Sequence, residues 1–326
     1  MRVLCCLCLC LVLSCQLSQP KLNYPESSKE EEVDVYFGDS IRDPYRWLEN
    51  DTSQATDAWV NRQNEFTRSY LDKLPKKAEI KERLTKLWNY PKRSAPYKSG
   101  DFFIYAKNDG IQDQYVYYFK RSKDGEEELL MDPNTLSEDG TTTVGGFRVS
   151  EDNKYATYRI QKSGSDWSEI AVLDMQTLKP IDDLIKWVKF SGASWYNDGF
   201  FYSAYGKPKE GSAFSASNEY QKVYYHKIGT AQEEDKLIYE DKEHAKRGHY
   251  AWVTEDKEYL ILGGSEGTSG NIVSFSKISS GLDGIGFTPV DTSFKTDERI
   301  IDHIDGRFLM MTNHKAENYR LVWVDP

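Results

Sequence analysis

Apolar residues follow two different patterns along the chain. After Ser53, whose hydroxyl suits a helix N-cap, the apolar residues form a broad face over residues 54–73. After Pro75 they recur at intervals of three and four residues, which is again the period of a helix. The pattern therefore predicts helices over 54–73 and 75–90, followed by only a short helical turn at 180–188.

From residue 97 onward the pattern changes to short apolar strands, and it repeats five times. Each repeat has a turn with an aspartate and then an apolar, aromatic-rich strand, and a second strand follows 14 to 24 residues later. Successive aspartates are separated by 51, 46, 58 and 49 residues. Three or four short strands in about 50 residues are typical of one β-propeller blade, which needs neighbouring blades to bury its faces. The aspartates are Asp101, Asp152, Asp198, Asp256 and Asp305.

These repeats predict a mainly β fold, with a β-propeller over residues 97–326 and blade boundaries near 145, 190, 245 and 295. A long β-sandwich is the alternative, but a sandwich does not require a regular period. The fifth repeat reaches Pro326 after two strands. We therefore expect an incomplete propeller with an unpaired strand edge at that end.

All five cysteines lie within the first fifteen residues, so none is available for a disulfide or a cysteine-bound metal further on. Arg2 and the apolar run after it, which is too short to span a bilayer, predict an export signal over 1–15. The tetrad Val-Leu-Ser-Cys that ends at Cys15 resembles a bacterial lipobox; an ordinary cleaved signal is the alternative. Residues 16–32 are polar and contain prolines, as expected of a solvated tether. We expect an exported protein, periplasmic or anchored to a bacterial membrane through lipid on Cys15.

The composition excludes two broad classes of protein. Aromatic residues make up 13% and hydrophobic residues 39% of the chain, more than a disordered chain contains. The net charge of −10 repels phosphate backbones, so we expect no nucleic-acid partner. The acidic runs lack the spacing of a calcium loop, and neither a P-loop nor a dinucleotide fingerprint occurs. We predict no metal site and no organic cofactor.

One motif is similar to a catalytic one. Residues 263–267 (GGSEG) match the G-x-S-x-G pattern of a nucleophile elbow, which requires a strand before the serine and a helix directly after it. A predicted strand precedes Ser265, but a glycine-rich turn and another alternating strand follow it. We therefore predict that Ser265 lies in a hairpin turn and is not a nucleophile.

The five histidines are scattered over the later repeats, and none has the spacing of a metal motif such as H-E-x-x-H. We predict that they lie on the surface or make hydrogen bonds between blades. They are His226, His244, His249, His303 and His314.

Several segments, in this order, resemble the prolyl oligopeptidase family. The first is DPYRWLEN at 43–50, a turn followed by an aromatic anchor ahead of the capped helix. The resemblance extends over about residues 24–326. The other segments lie in the repeats: NDGIQDQYVYYFKR at 108–121, LLMDPNTLSEDGT at 129–141, KSGSDWSEIAVLD at 162–174 and WVKFSGASWYNDGFFYSAY at 187–205.

Members of that family combine an α/β-hydrolase domain, which carries a Ser-Asp-His triad, with a seven-bladed propeller. The resemblance implies that residues 33–92 are the N-terminal helical segment of the hydrolase domain. It also implies that residues 97–326 are about five of the seven blades. In the family pattern the triad lies beyond Pro326, so we assign no catalytic residue and no substrate-binding residue, and we expect the chain to be inactive alone.

The function implied by the resemblance is that of a serine endopeptidase. Such an enzyme hydrolyses short proline-containing peptides after proline through a histidine-activated serine, while the propeller gates access. Two alternatives remain open: a relative that cleaves after basic residues, and a stand-alone propeller that binds a partner without catalysis. An in-frame continuation that encodes G-x-S-x-G followed by a helix would favour the two peptidases.

Overall fold

The structure is a computed structural model and describes residues 22–326. The predicted signal, Cys15 and the first residues of the tether lie outside the described residues. The chain divides into two compact units. The first unit contains the described residues up to Lys77 together with Gly211–Ser215, and the second contains Ala78–Glu210 and Ala216–Pro326.

The first unit contains a two-stranded hairpin within the segment that was predicted to be helical. Strand β1 (Val33–Tyr36) pairs with β2 (Asp39–Arg42) in an antiparallel ladder. The turn residues Phe37 and Gly38 have φ of 54° and 96°, as a two-residue hairpin turn requires. Both strands are largely exposed, so no alternation of buried residues marked them in the sequence.

Helix α1 (Gln54–Leu71) confirms the first predicted helix. A short 3-10 helix over Arg46–Glu49 precedes it. The Ser53 hydroxyl oxygen accepts a hydrogen bond from the Thr56 N–H at 3.1 Å, which satisfies one of the free donors of the first turn. The predicted cap and the predicted start of the helix are therefore correct.

Part of the predicted tether lies along α1. Trp59 Nε1 donates a hydrogen bond to Ser27 Oγ at 2.8 Å. Gln63 Nε2 donates to the Pro25 carbonyl oxygen at 3.3 Å. Residues 25–27 are therefore attached to the helix rather than fully solvated.

Helix α2 (Lys77–Trp88) confirms the second predicted helix. It begins two residues after Pro75 and ends before Pro91, as the restriction on the residue before a proline favours. Its apolar side chains Leu84 and Trp88 are 59% and 66% exposed.

Among the described residues, no helix combines the length and the apolar character needed to cross a bilayer.

The second unit contains the predicted repeats as antiparallel sheets, which we number blades 1 to 5. Blade 1 consists of β3 (Lys92–Arg93), β4 (Tyr97–Ser99), β5 (Phe102–Asn108), β6 (Val116–Lys120) and β7 (Glu128–Met131). Blade 2 consists of β8 (Thr143–Val149), β9 (Tyr155–Gln161), β10 (Ser168–Asp174) and β11 (Lys179–Val188).

The remaining strands form three more blades. Blade 3 consists of β12 (Ser194–Tyr196), β13 (Gly199–Ala204), β14 (Lys222–Lys227) and β15 (Lys236–Glu240). Blade 4 consists of β16 (Gly248–Val253), β17 (Tyr259–Ser265), β18 (Ile272–Lys277) and β19 (Thr288–Asp291). Blade 5 consists of β20 (Glu298–Ile304), β21 (Arg307–Thr312) and β22 (Arg320–Val324).

The strand positions agree with the repeat pattern. The blades after the first begin at residues 143, 194, 248 and 298, close to the predicted boundaries. Blades 2 and 3 are joined into one continuous sheet by a single residue pair, Val188 with Ala204. The mainly β fold predicted from the repeats is confirmed.

The predicted helical turn at 180–188 is wrong, because this segment belongs to β11. Its apolar residues are three and four apart, which is the spacing of a helix. The spacing arises from two register shifts in the pairing of β10 with β11. Such bulges interrupt the strict alternation of a strand, so the sequence pattern was misleading here.

The aligned aspartates lie in the turns that lead into β5, β9, β13, β17 and β21. In blade 2, Asp152 Oδ1 accepts hydrogen bonds from the Ser150 hydroxyl at 2.7 Å and the Lys154 N–H at 3.1 Å. Asp256 makes the two equivalent bonds in blade 4, also at 2.7 and 3.1 Å. These two aspartates thus close turns, as short acidic side chains commonly do.

The core of the second unit is divided among the interfaces between blades. Four clusters of buried side chains each combine residues from two successive blades. Between blades 4 and 5, for example, the ring centroids of Tyr259 and Phe308 are 5.0 Å apart in an edge-to-face arrangement. The burial of blade faces against one another is the packing that defines a propeller.

Candidate functional site

Each blade has an edge strand at its start, and hydrogen bonds join several of these strands across the blade interfaces. We name β4, β8, β12, β16 and β20 the inner strands. Ser99 Oγ on β4 accepts a hydrogen bond from the Val149 N–H on β8 at 2.8 Å. Ser194 Oγ on β12 accepts one from the Val253 N–H on β16 at 3.0 Å. The same serine-to-backbone contact thus joins two pairs of inner strands.

A cavity of about 650 Å³ lies among four inner strands of the second unit. Aromatic side chains form much of its wall. The rings of Tyr250 and Trp252 are stacked, with centroids 5.8 Å apart and planes at 14°. Trp195 Nε1 donates a hydrogen bond to the Arg148 carbonyl oxygen at 2.8 Å, which orients that indole. The inner strands therefore contribute aromatic side chains to the wall of the cavity.

Charged side chains complete the wall: Arg148 from β8, Arg299 and Glu298 from β20, and Lys257 from the turn before β17. Lys257 Nζ lies 3.2 Å from Glu151 Oε1. Glu298 Oε1 accepts hydrogen bonds from two threonine hydroxyls. The charges of Lys257 and Glu298 are thus engaged by neighbours.

The two arginines differ from these residues because neither has a carboxylate within 4.0 Å among residues 22–326. The guanidinium of Arg148 lies 5.8 Å from the centroid of the Tyr97 ring and donates to the Phe147 carbonyl oxygen at 3.0 Å. Burial raises the pKa of Tyr97 to about 12, and the charge of Arg148 opposes this rise. The sequence predicted no role for either arginine. The alternation of polar and apolar residues along a strand shows that a position is polar, but it does not show that the side chain lines a cavity.

Ser265 is the last residue of β17, and its backbone pairs with Gly248. The next element is strand β18, so the hairpin predicted at this motif is present. Within the described chain no helix follows the serine, and the strained strand-to-helix turn of a nucleophile elbow is not formed. That Ser265 is not a nucleophile stays a prediction.

His226 links blades 2 and 3. Its Nε2 is 2.6 Å from Asp183 Oδ1 on β11, and its Nδ1 is 2.7 Å from Asp235 Oδ1 before β15. The residue is only 1% exposed. Burial alone would lower the pKa of His226, but the hydrogen bonds to Asp183 and Asp235 raise it to about 9. His226 is therefore a buried imidazolium at neutral pH, and the predicted hydrogen bonding between blades is confirmed for it.

His303 makes the corresponding contact between blades 5 and 4, where its Nδ1 is 2.5 Å from Asp256 Oδ2. Ligand atoms of Asp256, Glu258 and His303 lie within 4.8 Å of one another, the spacing that a metal ion requires. The Asp256 oxygens are already engaged by His303 and by the turn. We interpret the group as a contact between blades, and the absence of a metal site stays a prediction.

His249 departs from the prediction made for the histidines. It is 1% exposed, and neither ring nitrogen has a hydrogen-bond partner in the described part of the chain. Its ring packs against the Tyr239 ring at a centroid distance of 4.9 Å. Burial lowers the pKa of His249 to about 4, against the opposing charge of Asp241. The side chain is thus neutral and fills the interface instead of making hydrogen bonds across it.

The other two histidines are exposed. His244 Nδ1 lies 3.0 Å from Asp241 Oδ2 in the turn before β16. The backbone N–H of His314 donates to Thr312 Oγ1 at 2.9 Å. His249 is the histidine near Ser265, since it pairs with Gly264 in the ladder of β16 with β17. Because neither ring nitrogen of His249 has a hydrogen-bond partner among the described residues, no serine–histidine pair is formed there.

Comparison with known proteins identifies the family. Residues 24–326 match the family described as prolyl oligopeptidase, N-terminal beta-propeller domain. The chain belongs to the prolyl oligopeptidase family. The resemblance inferred from the ordered sequence motifs is therefore confirmed, and so is the β-propeller.

Curated relatives carry names of the same family. A prolyl endopeptidase of Elizabethkingia miricola is 40% identical over 302 residues, which cover 92% of this chain and 42% of that protein. Prolyl oligopeptidase A of Galerina marginata is 34% identical over 341 residues, which cover 93% of this chain and 46% of that protein. The chain thus spans less than half the length of these prolyl oligopeptidase relatives.

Solved structures show the same relationship. Prolyl oligopeptidase B from Galerina marginata, bound to a 35mer hydrolysis and macrocyclization substrate, has a TM-score of 0.75 and 29% identity. The match covers 93% of this chain and 46% of that one. Oligopeptidase B from Leishmania major has a TM-score of 0.73 at 15% identity, which shows a shared fold.

Proposed function

We propose that this chain is the propeller-bearing part of an exported serine endopeptidase that hydrolyses short peptides after proline. The proposal is supported by the activity named for its relatives, prolyl endopeptidase and prolyl oligopeptidase. It is also supported by the similar structure that holds a peptide substrate. In this proposal the second unit admits peptides and excludes folded proteins.

The observation that carries the proposal is the cavity among the inner strands. Its volume of about 650 Å³ is within the range of roughly 300–1,000 Å³ typical of ligand sites. Trp195, Tyr250 and Trp252 are among its lining residues, and aromatic side chains suit contact with apolar side chains and proline rings. A peptide in extended form can contact these rings while its backbone stays hydrated.

The reaction would be acyl transfer, in which a serine activated by histidine attacks the peptide carbonyl carbon after proline. In this proposal the serine and the histidine lie in the part of the relatives that this chain does not span. This chain would contribute selection of substrates. We therefore expect the purified chain to hydrolyse no prolyl peptide by itself.

A domain graft tests the proposal. Residues 24–326 replace the matching segment of the Elizabethkingia miricola prolyl endopeptidase, and cleavage of short and long peptides is measured. We expect cleavage after proline, with short peptides preferred over a folded protein that carries the same sequence. Efficient cleavage of the folded protein would contradict gating, and cleavage after arginine in place of proline would favour the relative that cleaves after basic residues.

A variant of the same graft tests the interpretation of Ser265. Ser265→Ala should leave the rate of peptide cleavage unchanged, because the serine ends a strand beside another strand. A stable, monomeric chain that binds a protein partner and confers no cleavage in the graft would favour the stand-alone binding module.

We also propose export and lipid attachment at Cys15, because the first fifteen residues combine a short apolar run with a lipobox-like tetrad. The test is metabolic labelling with radioactive palmitate in a bacterial host, followed by fractionation. Wild-type chain should be labelled and should sediment with membranes. Cys15→Ser should abolish the label; labelling that persists in the variant, or unlabelled periplasmic wild type, contradicts the proposal.

A further inference from the structure

The cavity carries positive charge in a protein that is acidic overall. The net charge of the chain is −10, yet Arg148 and Arg299 both line this cavity. As described above, neither arginine pairs with a carboxylate in the described chain. Two arginines elsewhere on the second unit are paired: Arg121 lies 2.7 Å from Glu128, and Arg247 lies 2.6 Å from Glu266.

Basic side chains continue from this cavity to the neighbouring strands β4 and β9. A smaller adjoining pocket shares Arg148 and adds Lys98. Gly146 also lines that pocket. The side chain of Arg159 lies beside it, because a Cβ added to Gly146 would be 3.6 Å from Arg159 Nε. Arg159 also has no carboxylate within 4.0 Å among residues 22–326. The basic side chains thus form a track rather than a single point.

Of the two arginines, Arg148 is held in place by uncharged groups. The guanidinium of Arg148 packs on the Tyr97 ring, and one of its N–H groups donates to a carbonyl oxygen. Arg299 lies close enough to Tyr250 for its charge to oppose the burial that raises the pKa of the Tyr250 phenol. The contact of Arg148 with the ring leaves other N–H groups of its guanidinium available, and Arg299 is an exposed residue. A guanidinium in this state suits a planar, two-oxygen anion such as a carboxylate.

We propose that Arg148 and Arg299 form a carboxylate-binding subsite that selects acidic peptides on their way through the propeller. This inference rests on the proposed peptidase function. The ligand chemistry is a peptide carboxylate, which an Asp or Glu side chain or a free C-terminus can supply. The aromatic wall holds the peptide while Arg148 and Arg299 contact its negative groups. Peptides with clustered Lys or Arg are repelled by the same charges.

Binding of dye-labelled peptides to the full chain, followed by fluorescence anisotropy, tests the subsite. The probes share one proline-containing sequence with two Glu, two Gln or two Lys residues, each with a free or amidated C-terminus. We expect the Glu peptide to bind about tenfold more tightly than the Gln peptide at low salt, equal to about 1.4 kcal/mol. Because such contacts are screened, the difference should shrink in 1 M salt. The two C-terminal forms show which carboxylate is bound.

Variants assign the effect to the two arginines. Arg148→Gln with Arg299→Gln should reduce the preference for the Glu peptide to less than about threefold. The matched control, Arg62→Gln with Arg83→Gln, removes the same two charges from exposed helix positions and should keep the full preference. Arg148→Lys with Arg299→Lys should restore part of it, which excludes a folding defect. Equal binding of Glu and Gln peptides, or an equal loss in the control, overturns the proposal.

Proline is tested separately in the same assay. A Glu peptide with alanine in place of proline should keep its dependence on Arg148 and Arg299. If it does, and if the graft described above fails to cleave after proline, the subsite stands and the proposed peptidase function falls. If the graft cleaves after proline without any preference for acidic peptides in binding, the subsite falls alone.

Discussion

Two buried histidines in the second unit occupy opposite electrostatic environments. His226 and His249 are equally buried, at 1% exposure, and each lies where two blades meet. His226 is hydrogen-bonded on both ring nitrogens to carboxylates and stays protonated at neutral pH. Neither ring nitrogen of His249 has a hydrogen-bond partner in the described chain, and burial keeps the ring neutral. The comparison teaches that burial alone does not determine the charge of a histidine; the partners do.

The largest expected effect comes from removing the His226 ring. His226→Leu leaves Asp183 and Asp235 buried without their cation, and we expect a loss of about 3–5 kcal/mol in the free energy of unfolding. Urea unfolding at pH 7 measures it. His314→Leu, at an exposed position, should stay within about 0.5 kcal/mol of wild type. A loss below about 1 kcal/mol in His226→Leu would show that the buried ion cluster is not formed.

The second prediction concerns rising pH. Because the pKa of His226 is raised to about 9, its contribution to stability is complete below the unfolded value near 6.5 and is lost as pH rises through 9. The shift corresponds to about 3 kcal/mol between pH 6 and pH 10. Unfolding of wild type and His226→Gln across this range measures it. Parallel curves for the two proteins would mean that His226 is already neutral at pH 7.

The third prediction concerns falling pH and sharpens the contrast. Because the pKa of His249 is lowered to about 4, the unfolded state gains a proton near pH 6.5 while the folded state does not. Wild type should therefore lose about 2 kcal/mol more than His249→Leu between pH 7 and pH 5. The difference between the two proteins separates this effect from that of the carboxylates. An equal loss in both would place a proton on His249 in the folded state.

The smallest expected effect concerns uncharged hydrogen bonds beside His226. The Gln232 side chain accepts from the Lys186 N–H at 3.0 Å and donates to the Lys186 carbonyl oxygen at 3.1 Å. Gln232→Ala should cost about 1 kcal/mol or less, because water can replace the amide at this half-buried position. A loss as large as that of His226→Leu would show that the blade interface depends on Gln232 rather than on the charged cluster.

The sequence predicted those parts of the fold that depend on neighbouring residues in the chain. Ser53 marked the start of α1. The repeating aspartates marked the turns that lead into β5, β9, β13, β17 and β21. The β1–β2 hairpin was missed because its strands are exposed. The segment 180–188 was misassigned because register shifts gave β11 a helical spacing of apolar residues.

The site was much less predictable than the fold. Asp183 and His226 are 43 residues apart, and only the packing of blade 2 on blade 3 brings them together. Arg148 and Arg299 are further apart still and lie in different blades. Single-sequence spacing contains no signal for such contacts. The resemblance to a family identified the propeller, but it assigned no role to these residues.

The division of the core among blade interfaces constrains how this domain can change over evolutionary time. Each blade contributes side chains to the two interfaces on either side of it. When a blade is duplicated or deleted, blades that did not pack together before must therefore form a new interface. Loops such as residues 278–287, between β18 and β19, face no such requirement. Relatives should therefore differ in loop length far more readily than in blade number. Asp101 and Asn153, which are hydrogen-bonded to each other, lie about one repeat apart in the sequence. When a residue at such an interface differs between two relatives, the compensating substitution should likewise lie about one repeat away.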